Sequence, residues 1–156
     1  MNTTVMSLIL SIAISMGVPE YFVLSIAIEE NSTLNPLAVS KQNNDGSYDY
    51  GVLQLNGRYL GSFIEEFWDK SWKFEWYKPF DNIYLGCRII KSLMGRPDIT
   101  TFYGVAISYN AGCKWLINGS VPPASSIEYA QKVLKRWEEL DSRNFSTLIN
   151  KKGGRK

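Results

Sequence analysis

Residues 20–36 read Glu-Tyr-Phe-Val-Leu-Ser-Ile-Ala-Ile-Glu-Glu-Asn-Ser-Thr-Leu-Asn-Pro, and the other segments can be arranged around this stretch. Apolar residues from Phe22 to Ile28 cover nearly every side of a helix, which predicts an interior helix that ends at Glu30. The Asn35-Pro36 pair then forces a turn, because the residue before a proline disfavours helical geometry. Glu29 and Glu30 therefore stand where a buried helix reaches the surface.

A carboxylic acid in that position has a hydrophobic wall on one side and solvent on the other. Partial removal from water raises a carboxyl pKa toward neutrality, which is what a general acid requires. Side chains of adjacent helical residues diverge by about a third of a turn, so only one of Glu29 and Glu30 can face a given cleft. The residues alone leave open which one does so, and also whether both are merely charged residues at a helix end.

The rest of the chain predicts a mainly α domain with at most one small β-hairpin. Apolar residues at helical spacing predict further helices over 5–16, 58–68, 82–94, 100–109 and from Ser125 or Ser126 to about Leu140. Asp81 is expected to cap the helix that begins at residue 82, and Thr100 or Thr101 is expected to cap the helix that follows it. A polar loop precedes the helix over 58–68, and its Asp45-Gly46 pair is a turn signal that would close the hairpin.

Composition indicates one globular domain with no nucleic-acid partner. The 156 residues are 45% hydrophobic and 21% charged, and the formal net charge is only +2, too small for a nucleic-acid footprint. We expect residues 1–150 to form the domain. Residues 151–156, Lys-Lys-Gly-Gly-Arg-Lys, are expected to be a basic, disordered tail.

Several kinds of catalytic site are excluded by what the chain lacks. It contains no histidine, so Ser/His and Cys/His pairs are impossible. Its two cysteines, Cys87 and Cys113, are too few for a zinc site without histidine and do not make a disulfide framework. No metal and no cofactor is expected, and the acid-base candidates that remain are chiefly carboxylates and tyrosines.

The N-terminal segment from Val5 to Met16 is apolar but does not resemble a clear signal peptide. Its start, Met1-Asn2-Thr3-Thr4, carries no positive charge, and no small-residue cleavage site follows. The segment is also too short to cross a bilayer. We therefore expect it to be the first helix of the domain, without stable membrane insertion.

Two further motifs complete a recognisable pattern: Tyr50-Gly51-Val52-Leu53-Gln54-Leu55-Asn56 and Ala106-Ile107-Ser108-Tyr109-Asn110-Ala111-Gly112. Together with the Glu-Glu-Asn and Asn-Pro residues they resemble, in the same order, the signature of the soluble lytic transglycosylases, whose domain is related to goose-type lysozyme. That signature is roughly Glu-Ser, Asn-Pro, Ala, Ser, then Gly-Leu-Met-Gln, then Tyr-Asn-Ala-Gly. The resemblance runs from about Met16 to Trp137 and implies a single lysozyme-like helical domain.

The resemblance also implies an activity. Members of this family cleave the β-1,4 bond between N-acetylmuramic acid and N-acetylglucosamine in peptidoglycan. One glutamate donates a proton to the leaving oxygen and then takes one from the C6 hydroxyl of the muramic residue, which closes a 1,6-anhydro ring. This reaction requires neither a second carboxylate nor a cofactor. The expected partner is the peptidoglycan glycan strand, the expected state is monomeric, and the substrate implies the cell envelope or periplasm as the place of action.

Carried over residue by residue, the family pattern makes Glu30 the catalytic acid. Asn31 stands where serine is usual, and one extra residue separates the glutamate from Asn35-Pro36. Glu29 is therefore retained as the alternative acid.

The same pattern predicts a set of substrate-binding residues: Ser40, Gly51, Gln54, Asn56, Tyr109, Asn110 and Tyr129. In it Ser40 would hydrogen-bond the glutamate or the sugar, Gln54 would present its amide to the sugar, and Tyr109 would contact and orient the acid. For Asn56 and Tyr129 a purely structural role, in backbone satisfaction and in the core, is an equal alternative.

Two other functions fit the residues. A hydrolytic muramidase of the same fold would deliver water with help from Asp49 or another carboxylate. A glycan-binding or assembly module would keep the groove without catalysis. The sequence predicts neither the export route nor whether cleavage occurs within or at the end of a strand.

Overall fold

The computed structural model describes residues 2–117 and 119–152, with side chains through residue 142, and shows seven helices and one hairpin in this part of the chain. The helices are α1 (Thr3–Met16), α2 (Glu20–Glu30), α3 (Gly57–Phe67), α4 (Pro79–Met94), α5 (Phe102–Ala111), α6 (Lys114–Ile117) and α7 (Ala124–Lys152). The strands are β1 (Asp49–Tyr50) and β2 (Leu55–Asn56). The predicted fold class, mainly α with one small hairpin, is confirmed.

The core surrounds α2, whose predicted bounds the structure reproduces. Every residue from Phe22 to Ile28 is buried, because α1 and α7 pack against this helix. The Phe22 ring makes edge contacts with Phe102 of α5 and Trp137 of α7, at centroid distances of 5.0 and 5.1 Å. A helix that is apolar on all sides needs such neighbours, which hold its amino end against α5 and α7.

The hairpin lies after the predicted turn. Strands β1 and β2 pair antiparallel, with Asp49 opposite Asn56 and Tyr50 opposite Leu55, so the connecting turn is 51–54. Asp45-Gly46 does form a turn, since the Gly46 N–H donates to the Asn43 carbonyl at 2.9 Å. That turn closes the polar loop before β1 and does not connect the two strands.

The helix starts show one correct and one wrong capping prediction. Thr101 caps α5, with its hydroxyl accepting the Gly104 N–H at 3.1 Å. Asp81 does not cap α4, because that helix begins at Pro79, whose missing N–H suits a first helical position. Asp81 lies in the first turn and accepts the Glu75 N–H at 2.9 Å. The short helix α6 was not predicted.

The last helix is longer than the sequence predicts. It begins at Ala124 and continues past Leu140 to Lys152. Two residues assigned to the tail, Lys151 and Lys152, are thus helical, and residues 153–156 lie outside the described residues, so the disordered tail stays a prediction. Within the described residues no helix has the length and apolar character needed to cross a membrane.

Candidate active site

Glu30 is the last residue of α2, and its carboxyl is partly buried. Burial raises the pKa of Glu30 to about 7, from an ordinary value of 4.5. The nearby hydroxyl of Tyr129 acts in the opposite direction, and the negative charges of Asp49 and Glu29 raise the pKa further. The carboxyl is therefore divided between its protonated and charged forms near neutral pH.

Glu29 faces another part of the molecule. One of its carboxylate oxygens accepts hydrogen bonds from Nε and Nη2 of Arg136, at 2.8 and 2.5 Å. The Glu29 side chain is 14% exposed and that of Arg136 is 38% exposed, so this ion pair between α2 and α7 is only partly shielded from solvent. The divergence of adjacent helical side chains thus separates a paired carboxylate, Glu29, from an acid with a raised pKa, Glu30.

Two tyrosines approach Glu30 from α5 and α7. Burial raises the pKa of both well above the ordinary tyrosine value, and the charge of Glu30 raises the pKa of both further. The expected contact of Tyr109 with the acid is not a hydrogen bond, because its hydroxyl donates to the Leu53 carbonyl at 2.8 Å. The buried Tyr129 hydroxyl faces Glu30 but makes no regular hydrogen bond within the described residues.

The turn at 51–54 presents the Leu53 carbonyl to Tyr109. Gly51 has φ 78° and Gln54 has φ 45°, and the left-handed region is strained for the glutamine. Asn82 of α4 supports the turn, with Oδ1 accepting the Leu53 N–H and Nδ2 donating to the Tyr50 carbonyl, both at 2.9 Å. The Asn82 side chain is fully buried. A buried amide thus satisfies backbone groups on both sides of the turn.

Asn31, which stands where the family has serine, connects the end of α2 to the same turn. Its Nδ2 donates to the Asn35 carbonyl at 2.8 Å and to the Gly51 carbonyl at 3.3 Å. Its Oδ1 accepts the Thr33 hydroxyl at 2.9 Å. Asn31, the residue that departs from the family pattern, therefore joins the end of α2 to the Asn35-Pro36 turn and to Gly51.

Ser40 and Gln54 are near this region but bond to backbone. The Ser40 hydroxyl donates to the Lys41 carbonyl at 2.7 Å and accepts the Asp49 N–H at 2.9 Å, so the expected bond to the glutamate is absent. Nε2 of Gln54 donates to the Gly51 carbonyl at 2.8 Å. Their contacts with sugar stay predictions.

Asn56 has the structural role that the sequence left open for it. Its Oδ1 accepts the Arg58 N–H at 3.0 Å and so caps α3, while its Nδ2 donates to Asp49 Oδ1 at 2.8 Å. Asn43 donates to the other Asp49 oxygen at 3.1 Å. These two amides fix the carboxylate whose charge acts on Glu30. Asn110, on α5, is exposed and accepts the Ser126 hydroxyl at 2.8 Å.

Two residues that organise the site, Asn82 and Arg136, were not identified from the sequence as site residues. Asn82 carried a usable signal, since an amide on the apolar side of a helix must find buried partners. Arg136 carried none, because it lies in a helix with many charged residues and its partner is 107 positions away.

Gly51→Ala is expected to lower the free energy of unfolding by about 2–4 kcal/mol, a value typical of backbone strain combined with steric conflict in a buried region. The new Cβ would lie 2.4 Å from Asn82 Nδ2, and alanine disfavours φ 78°. Urea unfolding measures the change. Gly61→Ala is the control, because its Cβ meets nothing within 4 Å. Equal stability of Gly51→Ala and wild type would contradict the close packing of turn and amide.

Among the described residues no group of three or more carboxylates and thiols could hold a metal ion. A model of the family described as Transglycosylase SLT domain matches residues 7–120, which contain Glu30, the 51–54 turn and Tyr109. No curated protein shows a significant match to the chain. The family match covers most of the 156 residues. The chain therefore belongs to the transglycosylase SLT domain family, with peptidoglycan as the substrate and transglycosylase-type chemistry as the class of activity.

Proposed function

We propose that the chain is a lytic transglycosylase that cleaves the β-1,4 bond between N-acetylmuramic acid and N-acetylglucosamine and leaves 1,6-anhydro-muramic ends. The observation that carries this proposal is the pKa of Glu30, which burial raises to about 7. A group with this pKa can donate a proton in one step and accept one in the next, near neutral pH.

The contacts of Glu29 support Glu30 as the acid. One oxygen of Glu29 accepts two hydrogen bonds from Arg136, so this carboxylate is turned toward α7 and is already engaged in an ion pair. Glu30 instead interacts electrostatically with Tyr109, Tyr129 and Asp49, and Tyr109 bonds the turn that connects the two strands. Of the two adjacent carboxylates, Glu30 has the surroundings that a proton donor requires.

In the proposed reaction Glu30 protonates the oxygen that joins the two sugars, and the bond from this oxygen to C1 of the muramic residue breaks. Positive charge develops at C1, as in other glycosidases. The Glu30 carboxylate then accepts the proton of the C6 hydroxyl while O6 bonds to C1. No water is consumed, and Glu30 returns to its protonated form.

Product analysis tests this proposal. Digestion of purified sacculi in isotopically labelled water, followed by mass spectrometry, is expected to give muropeptides with anhydro ends and no incorporated label. Each such product is one water lighter than the corresponding hydrolysis product. Labelled reducing ends would refute the transglycosylase reaction and indicate a muramidase.

A muramidase is the second candidate because a second carboxylate, Asp49, is placed close enough for its charge to act on Glu30. Its orientation is fixed by Asn43 and Asn56, as a residue that positions water would require. Asp49→Asn separates the two functions. A hydrolase that depends on Asp49 would lose about 10²-fold or more in kcat, whereas the transglycosylase is expected to keep its anhydro products and lose less than about tenfold.

We further propose that Gly51, Gln54, Asn110 and Tyr129 lie along the bound glycan, with Ser40, Asn56 and Tyr109 supporting them. The place of action that follows from the substrate is the cell envelope or periplasm. A monomer suffices for this reaction, because every residue with a proposed chemical role comes from one chain.

A further inference from the structure

We infer that Asn82 is a positioning residue for the catalytic acid: its buried amide sets the 51–54 turn, and the turn holds Tyr109 beside Glu30. This inference rests on the proposed function for its catalytic meaning. The arrangement itself consists of contacts among four segments, which are α4, the turn, α5 and the end of α2.

The first step is the bond between Asn82 and the turn. The amide accepts the Leu53 N–H and donates to the Tyr50 carbonyl, each at 2.9 Å. Asn82 is fully buried in the first turns of α4. Loss of the side chain would therefore leave the buried Leu53 N–H and the half-buried Tyr50 carbonyl without this partner, which is costly above all for the N–H.

The second step is the absence of a side chain at Gly51. A Cβ at this position would meet three atoms of the Asn82 amide, at 2.4, 2.6 and 3.0 Å. The backbone of the turn therefore lies directly against the amide, which leaves no space for the turn to shift toward α4. Glycine and asparagine are a matched pair here, one supplying the space and the other the hydrogen bonds.

The third step runs through Leu53. Its N–H is bound by Asn82, and its carbonyl accepts the Tyr109 hydroxyl at 2.8 Å. Leu53 itself is fully buried, and its side chain lies against Gly86 of α4. The position of Asn82 thus determines where the carbonyl points, and the carbonyl determines where the Tyr109 hydroxyl points.

The last step connects Tyr109 to the acid. The titratable groups that act on Glu30 are Asp49 from β1, Glu29 from α2 and Tyr129 from α7, and Tyr109 from α5 is itself affected by the charge of Glu30. Asn82 is neutral and acts on none of them directly. Its effect on Glu30 must pass through the turn. The turn is joined to the end of α2 by Asn31, the residue after Glu30, whose Nδ2 donates to the Gly51 carbonyl at 3.3 Å.

The test is a double-mutant cycle with Asn82→Ala, Tyr109→Phe and the combined variant. We expect Asn82→Ala to admit water, to lower the pKa of Glu30 toward its ordinary value, and to reduce kcat by about tenfold or more with a smaller change in KM. Because both residues act through Leu53, the combined variant is expected to be no worse than the more severe single variant. The Glu30 pKa is measured by carbon-13 NMR of the carboxyl.

Leu93→Ala is the matched control, because Leu93 is buried near the other end of α4 and its loss destabilises the same helix without touching the turn. It is expected to lower Tm while leaving the Glu30 pKa unchanged. If Asn82→Ala does not fold, Asn82→Ser replaces it in the cycle, because serine stays polar but its hydroxyl is one bond shorter and does not reach the position of Oδ1 at Leu53.

The inference is overturned if the Asn82 variant lowers Tm yet leaves the Glu30 pKa at its wild-type value, or if its effect on kcat adds fully to that of Tyr109→Phe. Failure of the proposed function gives a different result. A wild-type protein that cleaves nothing would refute the enzyme, whereas the NMR titrations would still report whether Asn82 positions Tyr109 and Glu30.

Discussion

Glu30→Gln is expected to reduce the release of muropeptides from purified sacculi by about 10³-fold, the middle of the range for loss of a general acid. Glutamine keeps the size and polarity of the side chain but cannot donate a proton. The rate of release at about pH 6, where most wild-type protein holds the proton on Glu30, is the measurement.

Glu29→Gln is the matched control, because it makes the same chemical change at the adjacent residue. Its loss leaves Arg136 without its charged partner and weakens the contact between α2 and α7. We expect a lower Tm but a kcat within about tenfold of wild type, because no step of the proposed reaction passes through Glu29. If Glu29→Gln were inactive and Glu30→Gln active, the acid would be Glu29 and the assignment of the site would be wrong.

The second large effect concerns stability, and it arises from the same carboxyl. The pKa of Glu30 is about 7 in the folded protein, and we take the ordinary value of 4.5 for the unfolded chain. Between these two pH values the folded protein therefore binds more protons than the unfolded chain. Stability must then fall as pH rises through this window. The shift corresponds to about 3 kcal/mol, present below the window and lost above it.

Glu30→Gln is therefore expected to stabilise the protein by about 3 kcal/mol at about pH 8, and to have little effect at about pH 4, where the wild-type carboxyl is mostly protonated in both states. Urea unfolding at the two pH values measures the difference. A variant that is less stable than wild type at the higher pH would contradict a buried carboxyl with a raised pKa. The result is independent of any activity assay.

The sequence was sufficient to predict the framework of this site. The helix over 20–30 followed from its apolar residues alone, and its end placed Glu29 and Glu30 at the surface of the core. This prediction is local, because it depends only on residues that are neighbours in the chain. The resemblance to the family predicted Gly51 and Tyr109 as site residues, and the structure shows Tyr109 bonded to Leu53 in the turn that begins at Gly51.

The individual hydrogen bonds could not be predicted in the same way. Tyr109 bonds a carbonyl 56 positions away, and Arg136 bonds a carboxylate 107 positions away. Such partners are chosen by the packing of helices, which periodicity does not specify. Ser40 illustrates the same limit, because a serine near the acid found closer backbone partners in Lys41 and Asp49.

The hairpin shows a competition between two turn signals. Asp45-Gly46 has the stronger local pattern, and it forms a turn. The turn between the strands instead uses Gly51 and Gln54, both at positive φ, although the glutamine has no local preference for that geometry. Asn82 supplies the hydrogen bonds that hold this turn, and it comes from α4, far along the chain.

The most direct test of a single proton-exchanging glutamate is the carbon-13 titration of the Glu30 carboxyl, assigned by the resonance that disappears in Glu30→Gln. We expect one carboxyl with a pKa close to 7, raised by burial beside Tyr109, Tyr129 and Asp49. An ordinary pKa near 4.5 would mean that Glu30 is charged and hydrated at neutral pH, and this would contradict its role as the acid.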